Sequence, residues 1–240
     1  ETVNHLYIER YPLKNVIVCG DSASVNIEEK FYKLCQKYEN FYYIRSPFQS
    51  KAKKINFVIK NHKKLLGDFV YVRDCRVIGA QDCIEKMISY FNDKKVAAVT
   101  SYGRVNKPKN FLSRSFYYGK DWVNEIGRFR KNAQEKRAAV FVICGASTIF
   151  RTRVLEEIPV PSKSKTEDTY YTWRLQNKGH LIRVADDTMV VAPDVDGKKL
   201  AGIKGQIKQS FRWTSGTMQC MYNEGRGLFK NRMLAYSTIL

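Results

Sequence analysis

Long apolar runs, metal-type cysteine spacing and low-complexity sequence are all missing from this chain, and each absence closes off a class. The longest uninterrupted apolar stretch, Ala138 to Ala146, falls far short of the roughly 20 residues that cross a bilayer. Six cysteines stand at 19, 35, 75, 83, 144 and 220, with no C-x-x-C and no histidine at ligand spacing. That pattern excludes a zinc module and a disulfide scaffold, and it reads as reduced thiols in a cytosolic compartment. Only 14 glycines and 6 prolines occur in 240 residues, and hydrophobic residues make up 44% against 27% charged, which excludes collagen and disorder. Acids are scarce: 23 against 42 Lys plus Arg, a net charge of +19. Such an excess points to an anionic partner, whether nucleic acid, a phosphorylated small molecule or a membrane surface. The opening Glu1-Thr2-Val3-Asn4 has neither a starting Met nor signal-peptide character, as expected of a fragment or a processed piece.

What is present is an alternation of apolar runs and helical patterns. Val16 to Cys19 reads as a buried strand, followed by Ile27, Phe31, Leu34, Cys35 and Tyr38 at helical spacing. Phe69 to Val72 is a second strand, with Ile84, Met87, Ile88 and Phe91 on one helix face behind it. Val96 to Thr100 and Ala139 to Ile143 are further strands. Asp168 to Asn177 makes a helix stopped by Gly179, Leu181 to Val184 returns as a strand, and Lys198 to Gln219 is mostly helical. Nearly continuous apolar strands alternating with helices predict one α/β domain with a largely parallel, covered sheet.

Ligands in open α/β sheets collect beyond the carboxyl ends of the strands. There the chain carries Gly20-Asp21-Ser22, Arg73-Asp74-Cys75-Arg76 and Cys144-Gly145-Ala146-Ser147. Asp21 reads either as a helix cap, the commoner fate of a strand-end Asp, or as a polar-ligand contact. Asp74 sits flush with an apolar strand, where a carboxylate can bind a ribose hydroxyl or a divalent metal on a diphosphate. Thr166-Glu167-Asp168 opens a helix; it reads as ordinary capping, or as the place of a general base on a hydroxyl nucleophile. Gln209, Arg212 and Trp213 share one stretch of helix surface, where a guanidinium suits diphosphate oxygens and an indole suits a sugar. Six lysines and no acid fall between Lys51 and Lys64, and most of these read as a solvated face.

In order, V-I-V-C-G-D-S, K-A-K-K-I-N, D-C-R, C-G-A-S-T-I-F-R, T-E-D and Q-S-F-R-W resemble the processive family 2 glycosyltransferases: cellulose, chitin, hyaluronan and poly-N-acetylglucosamine synthases. The resemblance implies a GT-A, Rossmann-like α/β fold, a mostly parallel mixed sheet flanked by helices. It implies a UDP-sugar donor and a growing polysaccharide acceptor, with inversion at the anomeric carbon. Asp21, Lys51, Asn56, Asp74 and Arg212 are implied to hold the donor nucleotide. Cys144, Gly145, Glu167, Gln209 and Trp213 are implied to face the acceptor, with Asp168 as general base. Asp21 and Asp74 are then expected at the carboxyl ends of neighbouring strands. The family uses Mg²⁺ or Mn²⁺ at an Asp pair, of which Asp74 is the first member; Arg76 stands at the second. Arg76 also supports an alternative, a degenerate homologue that binds nucleotide-sugar or a partner without turnover. Gly20 replaces the first of the paired Asp residues often found after the first strand. Residues 1–240 are expected to form one catalytic domain truncated at its first strand, Glu1 falling at or near that strand's P-x-Y-N-E-like end. Residues 198–240 are expected to form the Q-x-x-R-W helix and a membrane-proximal segment. Flanking transmembrane helices outside this chain would hold it at the cytoplasmic face of a membrane, where +19 suits an anionic leaflet. Nucleic acid is not expected as a partner, since charge alone argues for it.

Overall fold

The computed structural model describes residues 11–21, 25–75, 77–105, 126–136, 139–192 and 203–230. Along them run β1 (Val16–Asp21), α1 (Val25–Cys35), β2 (Phe41–Ser46), α2 (Lys51–Asn61), a 3-10 turn (Lys63–Leu65), β3 (Phe69–Arg73), β4 (Ile78–Gly79) and α3 (Cys83–Ser89). These are followed by β5 (Val96–Val105), α4 (126–136), β6 (Ser147–Arg151), α5 (Thr152–Glu157), α6 (Glu167–Asn177), β7 (Leu181–Ala192) and α7 (Ile203–Lys230). The chain divides into two compact units, one of residues 11–70 with 150–162, the other of 71–149 with 163–240 and 1–10. The expected family strand end at Glu1 lies outside the described residues.

In the smaller unit β1 pairs in parallel with β2, from Val16 opposite Phe41 to Asp21 opposite Ser46. The strand β2 was not anticipated; its Phe41 and Ile44 are buried, and Tyr38 packs on Phe41 with ring centroids 4.7 Å apart. The start of β1 is tied to the chain before β3 by side chains: Asn15 Nδ2 donates to Leu65 O at 2.7 Å and Lys14 Nζ to Leu66 O at 3.2 Å. Those carbonyls are thus bonded by side chains rather than by a strand ladder. β1 and β3 accordingly fall in different sheets, which corrects the expectation that Asp21 and Asp74 end neighbouring strands.

The second sheet has the order β3-β6-β5-β7-β4, with β5 and β7 parallel and β4 antiparallel to β7. It is mixed and flanked by helices, as expected. The β5–β7 register jumps from Thr100 opposite Val184 to Tyr102 opposite Met189, so β7 carries four residues where β5 carries one. Val96 to Val99 are almost wholly buried, as the continuous apolar run required. Helix α6 ends at Gly179, whose φ of +83° only glycine adopts freely.

One expected strand is absent. Ala139, Val140 and Ile143 are buried as predicted, but residues 139–144 form no ladder. Ala139 N–H donates to the Gln134 carbonyl at 2.8 Å, but along the middle of the run side chains supply the partners. Phe141 N–H donates to Gln134 Oε1 at 3.0 Å, Ile143 N–H to Thr172 Oγ1 at 3.1 Å, and Cys144 N–H to Thr100 Oγ1 at 2.7 Å. Val140 O accepts from Gln176 Nε2 at 2.7 Å and Phe141 O from Trp173 Nε1 at 2.9 Å. A buried apolar run needs backbone partners but not strand partners. The strand in this region is β6, four residues further on.

Candidate active site

In the smaller unit, Asp21 ends β1 and one of its oxygens takes the Lys54 ammonium at 2.8 Å, both groups being partly buried. Lys54 was not singled out from the sequence, because five other lysines surround it and nothing in a charge run marks the one that pairs. Lys51 opens α2 three residues earlier, on the same helix face. Asn56 is occupied differently: its amide donates to Val160 O at 2.8 Å and accepts from Val160 N–H at 2.9 Å. That two-point clamp fixes α2 to the segment after α5. Gly20 has a local reason, since a Cβ there would lie 2.7 Å from Tyr43 Cζ and 2.9 Å from Cε2. The Tyr43 phenol covers the backbone where the paired-Asp pattern would place a carboxylate.

In the larger unit, Asp74 follows β3. Its N–H donates to Ala146 O at 3.2 Å, and its carbonyl accepts from Val77 N–H at 3.1 Å. Asp74 therefore lies against the Cys144–Ala146 turn, and Arg73 Nε braces this end of β3 by donating to Val77 O at 3.0 Å. Arg76 lies outside the described residues. The carbonyl of Cys144 accepts from Thr148 Oγ1 and from Ser147 N–H, closing that turn before β6. Asp168 sits directly over it: a Cβ on Gly145 would be 3.0 Å from Asp168 Oδ2. A glycine is needed here for close approach of backbone to carboxylate. Asp168 Oδ1 also accepts the Thr169 N–H at 2.8 Å, so the carboxylate is oriented at the first turn of α6, beside the partly exposed Glu167. Asp74, Cys144, Gly145 and Asp168 are thus brought together by one pair of abutting turns.

Helix α7 docks on the same region. Gln209, Arg212, Trp213, Gly216 and Cys220 recur at helical spacing on one face. Gly216 and Cys220 are buried against Thr166, whose Oγ1 stands 3.7 Å from Cys220 Sγ. Further along, Glu224 takes Arg174 Nε at 3.0 Å. Arg212 is exposed and Trp213 half-exposed, one turn before the Gly216 contact with Thr166.

Lys131, on α4, is a residue that sequence reasoning missed. Loss of hydration pushes its ammonium below the usual lysine range, while the Cys144 thiol and the Asp168 carboxylate pull it back up. Its Nζ lies 5.9 Å from the Tyr102 ring centre, and Tyr102 anchors α4 by donating to Arg128 O at 3.2 Å. No spacing rule marks it, because its neighbours are contributed by β5, the Cys144 turn and α6.

The donor set does not fit a divalent ion held by an Asp pair. The D-C-R tripeptide offers one carboxylate, and among the described residues no three His, Cys, Asp or Glu side chains come together.

Two kinds of similarity bear on this geometry. The chain is 27% identical over 220 residues to poly-beta-1,6-N-acetyl-D-glucosamine synthase of Staphylococcus aureus, covering 90% of this chain and 50% of that protein. It spans about half the length of the curated relatives it matches first. Its fold superposes on the mannosyltransferase PcManGT of Pyrobaculum calidifontis, solved in complex with GDP-Man and Mn²⁺, with a TM-score of 0.74 at 16% identity over 98% of this chain and 64% of that one. S. aureus TarS, solved with UDP-GlcNAc, matches with a TM-score of 0.56 at 15% identity over 82% of this chain and 54% of that one. These likenesses establish the GT-A fold that the motifs implied. Residues 1–216 match the model of the family described as Glycosyltransferase like family 2, and the chain belongs to that family.

Proposed function

We propose that this chain is the catalytic part of an inverting β-glycosyltransferase that moves a sugar from a UDP-sugar onto a growing polysaccharide. The observation that carries the reading is the Asp168 carboxylate seated on Gly145, next to the turn that holds Asp74 and on the helix that α7 docks against. In this reading an acceptor hydroxyl approaches Asp168, which takes its proton as the oxygen attacks the anomeric carbon. The bond to the nucleoside diphosphate breaks on the opposite side, which inverts the centre. Charge accumulating on the leaving diphosphate is met by the Arg212 guanidinium. Asp21 and Lys51 serve the donor nucleoside, and Asn56 serves it indirectly by holding α2. Cys144, Gly145, Glu167, Gln209 and Trp213 shape the acceptor side.

A membrane setting belongs to the same proposal. No described helix is long and apolar enough to cross a membrane. The side of α7 opposite its docked face nevertheless exposes Ile207, Phe211, Met218 and Tyr222, the last at 91%. An apolar stripe on a helix of a +19 chain suits the cytoplasmic surface of an anionic bilayer, with processive extension of the polymer there.

Arg76 supports a second reading, a homologue that binds nucleotide-sugar without turnover, because it places a cation where the family has a carboxylate. Incubating the full-length protein in lipid with several UDP-sugars, and assaying both UDP release and polymer, separates the two. UDP release with polymer supports the transferase; UDP binding without either product supports the second reading.

A further inference from the structure

Gly216 lies three residues beyond Trp213 and four beyond Arg212, on the same face of α7. A Cβ built on it would stand 2.5 Å from Thr166 Oγ1, 2.6 Å from Thr166 Cγ2 and 3.0 Å from Thr166 Cβ. Three atoms of one β-branched side chain crowd that point, and a threonine has few rotamers through which to withdraw. Thr166 is itself buried, with Ser164 Oγ within 3.2 Å of its carbonyl and Cys220 Sγ 3.7 Å from its hydroxyl. Thr166 is the residue before α6, yet its side chain makes no capping bond to that helix. Its side chain is therefore a packing surface for α7. Two further contacts fix the same seat: Lys165 N–H donates to Gln219 Oε1 at 3.3 Å, and Lys165 Nζ to Ser215 Oγ at 3.5 Å.

We propose that Gly216 is a positioning residue: its missing side chain sets how closely α7 seats on Thr166, and through that seat it sets the reach of Arg212 and Trp213 toward the reacting groups around Asp168. The inference rests on the glycosyltransferase reading and adds a determinant that lies outside the reacting set. The lever is short. One helical turn, about 5.4 Å, separates Gly216 from Arg212 and Trp213, so a displacement at the glycine passes to them almost undiminished. In the other direction, only Glu167 stands between Thr166 and Asp168. The contact thus couples the helix carrying the diphosphate-binding cation to the segment carrying the base.

Gly216→Ala in the full-length protein in lipid is expected to lower turnover by about 10²-fold, the scale of a misplacement near 1 Å. Ala favours helix more than Gly does, so that loss arises without loss of helix. Thr166→Gly removes the three crowding atoms and no capping bond, and the double variant Gly216→Ala/Thr166→Gly is expected to recover most of the turnover. A readout independent of activity accompanies that rescue: Cys220 is fully buried in this contact, so alkylation followed by peptide mass spectrometry should find it protected in the parent, reactive in Gly216→Ala and protected again in the double variant. A general loss of structure would also expose the buried Cys35 and Cys83 to alkylation, whereas a displaced α7 exposes Cys220 alone. Unchanged turnover and a protected Cys220 in Gly216→Ala overturn the inference, as does a double variant as slow as the single. A parent that neither binds UDP nor transfers sugar overturns the functional reading instead, and the Cys220 pattern then still decides whether Gly216 sets the seat of α7.

Discussion

Asp168→Asn keeps the shape of the carboxylate and an oxygen for the Thr169 N–H, but it cannot take a proton from an acceptor hydroxyl. Transfer is expected to fall by about 10² to 10⁴-fold, while UDP affinity by calorimetry stays nearly unchanged; a parallel loss of UDP binding would refute the base assignment. Lys131 invites the opposite kind of change. Its pKa lies below that of a free lysine because the fold desolvates it, so between the folded value and 10.5 the unfolded chain binds more protons than the folded one. The stability of the parent therefore rises with pH through that window, and below it the chain carries a constant penalty. Lys131→Met should raise the thermal midpoint at pH 7, with a gain that shrinks as pH approaches 10.5. Because this cation faces Asp168 and Cys144, the same variant should transfer sugar more slowly. A variant less stable at pH 7 would show that the ammonium is held by more than those two groups.

The elements of this fold differ in how openly they declare themselves. β1, β3, β5 and α6 follow directly from continuous apolar runs and from a glycine stop; β5 and α6 bury most of their apolar side chains, whereas β1 buries only Val16 and β3 stays half-buried throughout. Residues 139–144 show the limit of that logic. Burial was legible in Ala139, Val140 and Ile143, whereas the source of their backbone partners was not, since Gln134, Thr172, Thr100, Gln176 and Trp173 come from three separate elements. Thr172→Val keeps the volume and removes the acceptor for Ile143 N–H. It is expected to cost about 1 to 3 kcal/mol in urea unfolding, the scale of an unsatisfied buried amide; a neutral result would mean that the segment finds another acceptor. Among the candidate site residues, Asp74, Gly145 and Asp168 were named from motif order, and the structure brings them to one pair of abutting turns. Asn56 was legible as a position, but its use as a clamp on Val160 was not, because that partner lies 104 residues away. On α7, the exposed stripe predicts that Phe211→Ser/Tyr222→Ser weakens flotation of the 240-residue chain with anionic vesicles several-fold, whereas neutral vesicles should bind both forms poorly.

Charge dominates at the scale of the whole molecule. With +19 overall and Arg76 at the position of the second acid, UDP binding is expected to depend little on added Mn²⁺, and Arg76→Asp should introduce such a dependence. Calorimetric titration of UDP with and without Mn²⁺ on both proteins measures this; a large Mn²⁺ requirement in the parent would mean that other groups supply the ligands. The ladder-free run 139–144 also bears on how the molecule assembles. A strand is recruited by the edge of a growing sheet, but this run has no edge to join and waits on side chains delivered by α4, β5 and α6. It should be among the last segments to acquire its native path, after the long-range β5–β7 pairing is complete. The turn beneath Asp168 is continuous with it. On dilution from denaturant, secondary structure should therefore return before the turn beneath Asp168 does, and hydrogen exchange pulsed during refolding should find the amides of Phe141, Ile143 and Cys144 protected later than those of Val96 to Val99.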